Sequence, residues 1–145
     1  MILPNQKIQP VKILLVEDNL GDAVLTREAF YESRLQIVFD TVENAEDAMD
    51  YLRDEELDTP DLILMDINLP GMSGLEALTI IKEDHQLRRI PVIVLTTSSA
   101  DQDILSAYEH YANCYITKPV QFEDFQESIK SLEDFWFTIV RLPKH

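Results

Sequence analysis

The sequence predicts an α/β domain in which parallel strands form one sheet between two layers of helices. Short apolar runs alternate with longer amphipathic stretches five times along the 145 residues. The run at 62–65 is apolar throughout, as is typical of a central strand that is buried on both faces. Right-handed crossovers between such strands favour a doubly wound sheet with strand order 2-1-3-4-5, flanked by five helices.

The first half of the chain predicts two strands and two helices in alternation. The apolar runs at 12–16 and 35–39 are the predicted strands. Asn19 and Asn44 precede the two helices and can cap them, because an Asn side chain accepts a hydrogen bond from a backbone N–H of the first turn. The second helix has one apolar face, which we expect to be buried: Ala45, Ala48, Met49 and Leu52.

The second half predicts three more strands and three more helices. The central strand at 61–66 ends at Asp66, and the strands at 92–96 and 114–117 follow it. Ser73 can cap the third helix, whose predicted inner face is Gly74, Ala77, Leu78 and Ile81. Apolar residues at helical spacing predict the last two helices, at Ile104, Ala107, Tyr108 and Tyr111, and at Phe122, Phe125, Ile129, Leu132 and Trp136.

Composition and charge limit the classes of protein to consider. A hydrophobic fraction of 46% is typical of one globular domain. We predict this domain at 11–134. We also predict an N-terminal extension at 1–10 and an apolar C-terminal extension at 135–145, with no separate output domain. The formal net charge of −15 disfavours binding to nucleic acid or anionic lipid. No apolar run approaches the roughly 20 residues of a membrane span. A single cysteine and the lack of a signal peptide favour a cytoplasmic protein.

Polar side chains follow four of the predicted strands at the point where each strand ends. Glu17 and Asp18 follow the first strand, Asp66 ends the third, Thr96 ends the fourth and Lys118 follows the fifth. The carboxyl ends of parallel strands meet at one edge of the sheet, where open α/β sheets place their ligands. Each residue alone has a simple structural reading, such as a turn former or a surface lysine. The coincidence of all five favours a functional site.

The residue types at this edge indicate phosphoryl-transfer chemistry. Neighbouring carboxylates repel one another unless a cation neutralises them, and ligation by oxygen alone suits Mg²⁺. Asp66 can act as a nucleophile toward a phosphoryl group and form an acyl phosphate. Lys118 offers a positive charge and Thr96 a hydroxyl donor to phosphate oxygens. We therefore predict that Asp66 is a phosphoryl acceptor.

The segments that carry these residues resemble the receiver domain of two-component response regulators, over nearly the whole chain. The resembling segments are Ile13–Asn19, Leu64–Gly74, Pro91–Thr96 and Tyr115–Pro119. The resemblance implies a flavodoxin-like receiver fold. It also implies a signalling protein rather than an enzyme, one that accepts phosphate from a sensor histidine kinase on Asp66 and assists its own phosphorylation and dephosphorylation.

The same resemblance implies roles for the remaining site residues. Asp18, Asp66 and the backbone carbonyl of Asn68 would ligate Mg²⁺, and Glu17 would act through metal-bound water. Thr96 would move toward the phosphate while Tyr115 swings inward, as the switch that repacks the surface around the fifth strand.

The end of the chain also resembles the single-domain regulators that are paired with bacterial phytochrome-type kinases. The resemblance lies in Cys114–Pro119 together with Phe135, Trp136 and Phe137. It implies a light-sensing kinase as donor and a homodimer through the fourth helix, fifth strand and fifth helix. The apolar extension itself is open to two readings: a partner or dimer interface, or a tail that folds back on its own domain.

Two other functional classes share part of this pattern. An aspartate-nucleophile phosphohydrolase also forms an acyl phosphate, but such enzymes generally need an acid two residues after the nucleophile, where this chain has Asn68. A flavodoxin-like cofactor-binding domain shares the fold, but the chain has only three glycines and no evident phosphate-cradling loop after the first strand.

Overall fold

The computed structural model of the protein describes residues 10–31, 36–96 and 114–117, together with Glu127 and Lys130, which are helical. The described strands are β1 (Val11–Val16), β2 (Ile37–Val42), β3 (Leu62–Asp66), β4 (Val92–Thr96) and β5 (Cys114–Thr117). The described helices are α1 (Leu20–Ala29), α2 (Ala45–Arg53) and α3 (Gly74–Glu83). The predicted fourth helix, and the fifth apart from those two residues, lie outside this part of the chain.

The strands form one parallel sheet with β3 at its centre. The order is β2-β1-β3-β4-β5, which is the order that the sequence predicts. Each neighbouring pair is parallel, and β3 hydrogen-bonds to β1 on one side and to β4 on the other. All five residues of β3 are buried, because a central parallel strand is covered by helices on both faces.

The second strand differs from its predicted position. Residues 35–39 are the prediction, whereas β2 continues to Val42. Asp40 pairs with Leu14 of β1, and the parallel register continues to Val42 beside Val16. The sequence pattern misses this continuation because an edge strand needs less apolar surface than a central one, so polar residues extend it at little cost.

The core lies in two layers, one on each face of the sheet. Alternate residues of the strands point to opposite faces, so Leu14 packs on one side of β1 and Ile13 on the other. Helices α2 and α3 cover the first face, and α1 covers the second. The predicted inner faces of α2 and α3 are confirmed, with Leu52 at the half-buried margin of the first layer.

The three described helices begin at the predicted caps. The side chains of Asn19, Asn44 and Ser73 each accept a hydrogen bond from the backbone N–H three residues further on, at 2.9, 2.7 and 3.1 Å. These caps fix where each helix starts relative to the end of the strand before it. Within the part of the chain that the structure describes, no helix has the length and apolar character needed to cross a membrane.

Candidate functional site

Three carboxylates lie together at the carboxyl edge of the sheet. Glu17 and Asp18 directly follow β1, and Asp66 is the last residue of the neighbouring strand β3. One oxygen atom from each of the three lies within 4.8 Å of the others. Glu17 and Asp66 are only 1% and 4% exposed, whereas Asp18 is exposed to solvent. The sequence-based prediction that these three side chains meet is therefore confirmed.

The turn after β1 holds Glu17 at this edge. The backbone N–H of Glu17 donates to the carbonyl oxygen of Val42 at 3.0 Å, which continues the β1–β2 pairing by one residue. Its side-chain Oε2 accepts a hydrogen bond from the N–H of Asn19 at 3.3 Å. Because Asn19 also caps α1, the start of that helix and the buried carboxylate are tied to the same short turn.

Asp66 is held in a similar way at the end of the central strand. Its Oδ1 accepts a hydrogen bond from the backbone N–H of Asn68 at 3.0 Å. The N–H of Ile67 donates to the carbonyl oxygen of Leu95 at 3.0 Å, so pairing with β4 continues past the strand end. The first contact restricts the orientation of the Asp66 carboxylate, and the second fixes the backbone next to it.

Helix α3 begins in direct contact with the backbone of Asp66. The N–H of Gly74 donates to the carbonyl oxygen of Ile67 at 3.0 Å. A Cβ atom at position 74 would lie 2.1 Å from the carbonyl oxygen of Asp66, a distance that real contacts do not reach. The sequence predicts Gly74 only as part of a buried helix face. The close approach requires glycine for a further reason, which the helical spacing does not reveal.

A residue that sequence reasoning did not identify contacts the loop after Asp66. Glu46, in the first turn of α2, accepts a hydrogen bond through Oε1 from the N–H of Met72 at 3.3 Å. Gly71 has a φ of 73°, and a Cβ atom there would lie 2.9 Å from Oε2 of Glu46. Glu46 and Met72 are 26 residues apart, so no local spacing could have linked them.

The donor set of this edge fits a hard divalent cation. The three carboxylates supply only oxygen atoms as ligands. Mg²⁺ and Mn²⁺ prefer oxygen ligands, whereas softer metals prefer nitrogen or sulfur. Two of the three are buried, and buried negative charges that lie close together are unfavourable unless positive charge offsets them. Glu17, Asp18 and Asp66 are therefore suitable metal-binding residues.

The response regulator receiver domain matches residues 13–130 of the chain. The chain belongs to this family. The match includes the acidic cluster and all five strands from residue 13 onward, so the resemblance predicted from the sequence is confirmed. The flavodoxin-like receiver fold follows from the same match and from the parallel sheet.

Individual relatives are similar over most of their length. Response regulator Rcp1 of Synechocystis is 38% identical over 92% of this chain and 94% of its own, and its Mn²⁺-bound crystal structure has a TM-score of 0.81. The phosphorylated cyanobacterial phytochrome response regulator RcpA is 42% identical, with a TM-score of 0.83 over 94% of this chain and 100% of that one. The probable methanogenesis regulatory protein FilR2 of Methanothrix harundinacea is 38% identical over 92% of this chain and 88% of its own.

The other predicted site residues of this receiver domain are located only in part. Thr96 ends β4, which neighbours β3, and the backbone of Tyr115 pairs with that of Val94. Lys118, the predicted interface residues Phe135, Trp136 and Phe137, and the C-terminal extension lie outside the described residues. The switch, the lysine contact and the dimer face remain predictions.

Proposed function

We propose that this receiver domain accepts a phosphoryl group from a sensor histidine kinase on Asp66, in a Mg²⁺-dependent reaction that changes the surface presented to a partner. One observation carries the proposal. Asp66 is a buried carboxylate at the end of the central strand, with oxygen atoms of Glu17 and Asp18 within 4.8 Å. A carboxylate that serves only as a turn former or helix cap would not need two further acidic groups beside it.

The chemistry requires Asp66 to be ionised and correctly oriented. A carboxylate oxygen of Asp66 forms a bond to phosphorus while the phosphorus–nitrogen bond to the donor histidine breaks, and the product is an acyl phosphate. The hydrogen bond from the N–H of Asn68 to Oδ1 limits rotation of the carboxylate. Little else is required of the protein, because phosphoryl transfer depends mainly on positioning and on offsetting negative charge.

Asp18, Asp66 and the backbone carbonyl of Asn68 would hold the Mg²⁺ ion, and Glu17 would act through a bound water molecule. When bound, the ion offsets negative charge on the phosphoryl group and on the carboxylates. The close approach of the three carboxylates supports this assignment. So does the crystal structure of Rcp1, which is a Mn²⁺-bound form. We assign Thr96 and Lys118 to contacts with the phosphate oxygens and Tyr115 to the switch, on the strength of the family resemblance.

We also propose a phytochrome-type kinase as the donor and a homodimer as one form of the protein. The likeness to RcpA, a phytochrome response regulator crystallised in its phosphorylated form, supports both the donor and the modification. The proposed dimer face consists of the fourth helix, β5, the fifth helix and the apolar C-terminal extension. This finer assignment is separate from phosphorylation of Asp66 and needs its own test.

The proposal is tested by measuring the intact mass after incubation with acetyl phosphate. One sample contains Mg²⁺ and a second contains excess chelator. We expect wild type to gain one phosphoryl group only with Mg²⁺, and Asp66→Asn to gain none. The matched control is Asp61→Asn, which makes the same change at the opposite end of β3. There Asn can still accept the 2.9 Å hydrogen bond from the N–H of Lys12. Asp61→Asn should be phosphorylated like wild type.

Two outcomes would contradict the proposal. If Asp66→Asn still gains the phosphoryl group, another residue is the acceptor. If wild type is not modified by acetyl phosphate or by a phytochrome-type kinase incubated with ATP and Mg²⁺, the chain is not a phosphoryl acceptor. A sizing column with light scattering on the same samples would report whether phosphorylation changes the oligomeric state.

A further inference from the structure

We propose that Glu46 is a positioning residue for the metal site, acting through the loop that joins β3 to α3. This inference rests on the proposed function, because the loop carries Asn68, whose carbonyl is the proposed metal ligand. Among the contacts described, Glu46 touches none of the three carboxylates of the acidic cluster. Its carboxylate instead accepts a hydrogen bond from the N–H of Met72 and lies beside Gly71.

Backbone N–H groups at both ends of the loop donate hydrogen bonds that hold it in place. At its start, the N–H of Asn68 donates to Asp66 Oδ1 at 3.0 Å, and the N–H of Leu69 donates to the carbonyl oxygen of Ile67 at 3.2 Å. At its end, the N–H of Gly74 donates to the same carbonyl at 3.0 Å. Leu69 is also buried in the core layer that α2 and α3 share.

The middle of the loop depends on α2. Pro70 and Gly71 are exposed, so burial does not hold them in place. The side chain of Met72 is half-buried against the core layer, and the hydrogen bond from its N–H to Glu46 Oε1 at 3.3 Å ties the backbone of this part to α2. Gly71, with its φ of 73°, leaves room for the carboxylate at a point where a Cβ atom would approach it to 2.9 Å. The two features fit together, since glycine both allows the turn and admits Glu46.

The contact of Glu46 with Met72 bears on the proposed metal site because the loop is short. The position of Met72 therefore limits the positions that Asn68 can adopt. Only three residues lie between Asn68 and Met72, and the N–H of Asn68 is hydrogen-bonded to Asp66. Releasing the middle of the loop would let Asn68 occupy more positions, so that Mg²⁺ binding would have to order it. Residues that orient metal ligands without touching the metal commonly affect affinity in this way.

The test compares Glu46→Ala with Glu46→Gln and with Asp50→Ala. Glutamine keeps an oxygen acceptor and loses the charge, whereas alanine loses both. Asp50 is an exposed carboxylate one turn further along α2, so Asp50→Ala removes a similar charge from the same helix. Calorimetric titration with Mg²⁺ at constant ionic strength gives the affinity. Amide hydrogen exchange of Met72 gives a readout that does not depend on phosphorylation.

We expect Glu46→Ala to weaken Mg²⁺ binding by about fivefold, the equivalent of one net hydrogen bond. The Met72 amide should exchange faster in the same variant. Glu46→Gln should restore most of the affinity and protection, and Asp50→Ala should match wild type in both.

If Glu46→Ala and Asp50→Ala have equal Mg²⁺ affinities, Glu46 has no role in positioning, even if Glu46→Ala is less stable. If Glu46→Gln is as weak as Glu46→Ala, charge rather than the hydrogen bond is responsible, and the inference is wrong. If wild type itself binds no Mg²⁺, the proposed metal site and this inference both fail.

Discussion

At the scale of single residues, the site depends on close contacts between backbone atoms as much as on carboxylates. Gly74 lets the first turn of α3 lie against the carbonyl of Asp66, and its N–H donates to the carbonyl oxygen of Ile67. Asp66 and the helix that follows it are therefore in van der Waals contact through main-chain atoms. A side chain at this point could be accommodated only by moving the helix or the strand end.

This geometry predicts that Gly74→Ala is severely destabilising. The added Cβ atom would meet backbone at 2.1 Å, and backbone cannot rotate away as a side-chain end can. We expect a loss of about 3 kcal/mol or more in the free energy of unfolding, measured by urea denaturation. Gly21→Ala is the control, because its Cβ atom would meet only the side-chain oxygen of Asn19 at 3.2 Å. A change of less than about 1 kcal/mol is expected there, and equal losses in the two variants would refute the argument.

At the scale of elements, the sequence predicts much of what the structure contains. Alternating apolar runs and helical spacing yield the strand order, the caps and the inner faces of α2 and α3. The acidic cluster is also predictable, because Glu17, Asp18 and Asp66 stand where apolar strands end and strand ends converge. What cannot be predicted depends on contacts between distant segments. The extension of β2 to Val42 requires the β1 register, and the contact of Glu46 with the loop requires the packing of α2 beside it.

A second polar cluster joins three elements away from the acidic cluster. Lys12 of β1 lies 3.7 Å from an Asp40 carboxylate oxygen of β2, and its Nζ lies 5.4 Å from the centre of the Tyr51 ring of α2. The Tyr51 hydroxyl donates a hydrogen bond to Asp40. Burial and this hydrogen bond raise the pKa of Tyr51 above its ordinary value of 10.0. The contact with the Tyr51 hydroxyl raises the pKa of Lys12 above 10.5, with smaller contributions from nearby carboxylates.

These shifts predict a loss of stability in alkali that Tyr51→Phe reduces. A group whose pKa is raised on folding contributes stability that is fully present below its unfolded pKa and is lost as the pH rises through its folded pKa. The contributions of Tyr51 and Lys12 should thus be fully present at about pH 8 and smaller at about pH 11, which lies above both ordinary pKa values. Urea unfolding at both values should show a smaller decrease for Tyr51→Phe than for wild type. Tyr31→Phe, at a side chain that is 89% exposed, should behave like wild type. An unchanged decrease in Tyr51→Phe would contradict the linkage.

At the scale of the whole molecule, negative charge opposes folding in two distinct ways. The formal net charge of −15 produces diffuse repulsion, which added salt screens. The acidic cluster produces local repulsion among three carboxylates, two of which are buried and are poorly screened by salt. A bound divalent cation would offset the local part, whereas monovalent salt would act mainly on the diffuse part. The two contributions can therefore be separated by the choice of ion.

Unfolding experiments at constant ionic strength should separate the diffuse repulsion from the local repulsion within the acidic cluster. Replacing part of the NaCl by Mg²⁺ should stabilise wild type by about 2.7 kcal/mol when Mg²⁺ is at 100 times its dissociation constant. With chelator present, Asp66→Asn should be more stable than wild type by about 1 to 3 kcal/mol, because one buried charge of the cluster is gone. Mg²⁺ should add little to the stability of that variant. The difference in the free energy of unfolding between the variant and wild type should therefore become smaller or change sign when Mg²⁺ is added. Asp61→Asn, at the other end of β3, should respond to Mg²⁺ as wild type does. If Mg²⁺ stabilised Asp66→Asn as strongly as wild type, the ion would be acting as a general counterion for the acidic surface, and the cluster would not be its binding site.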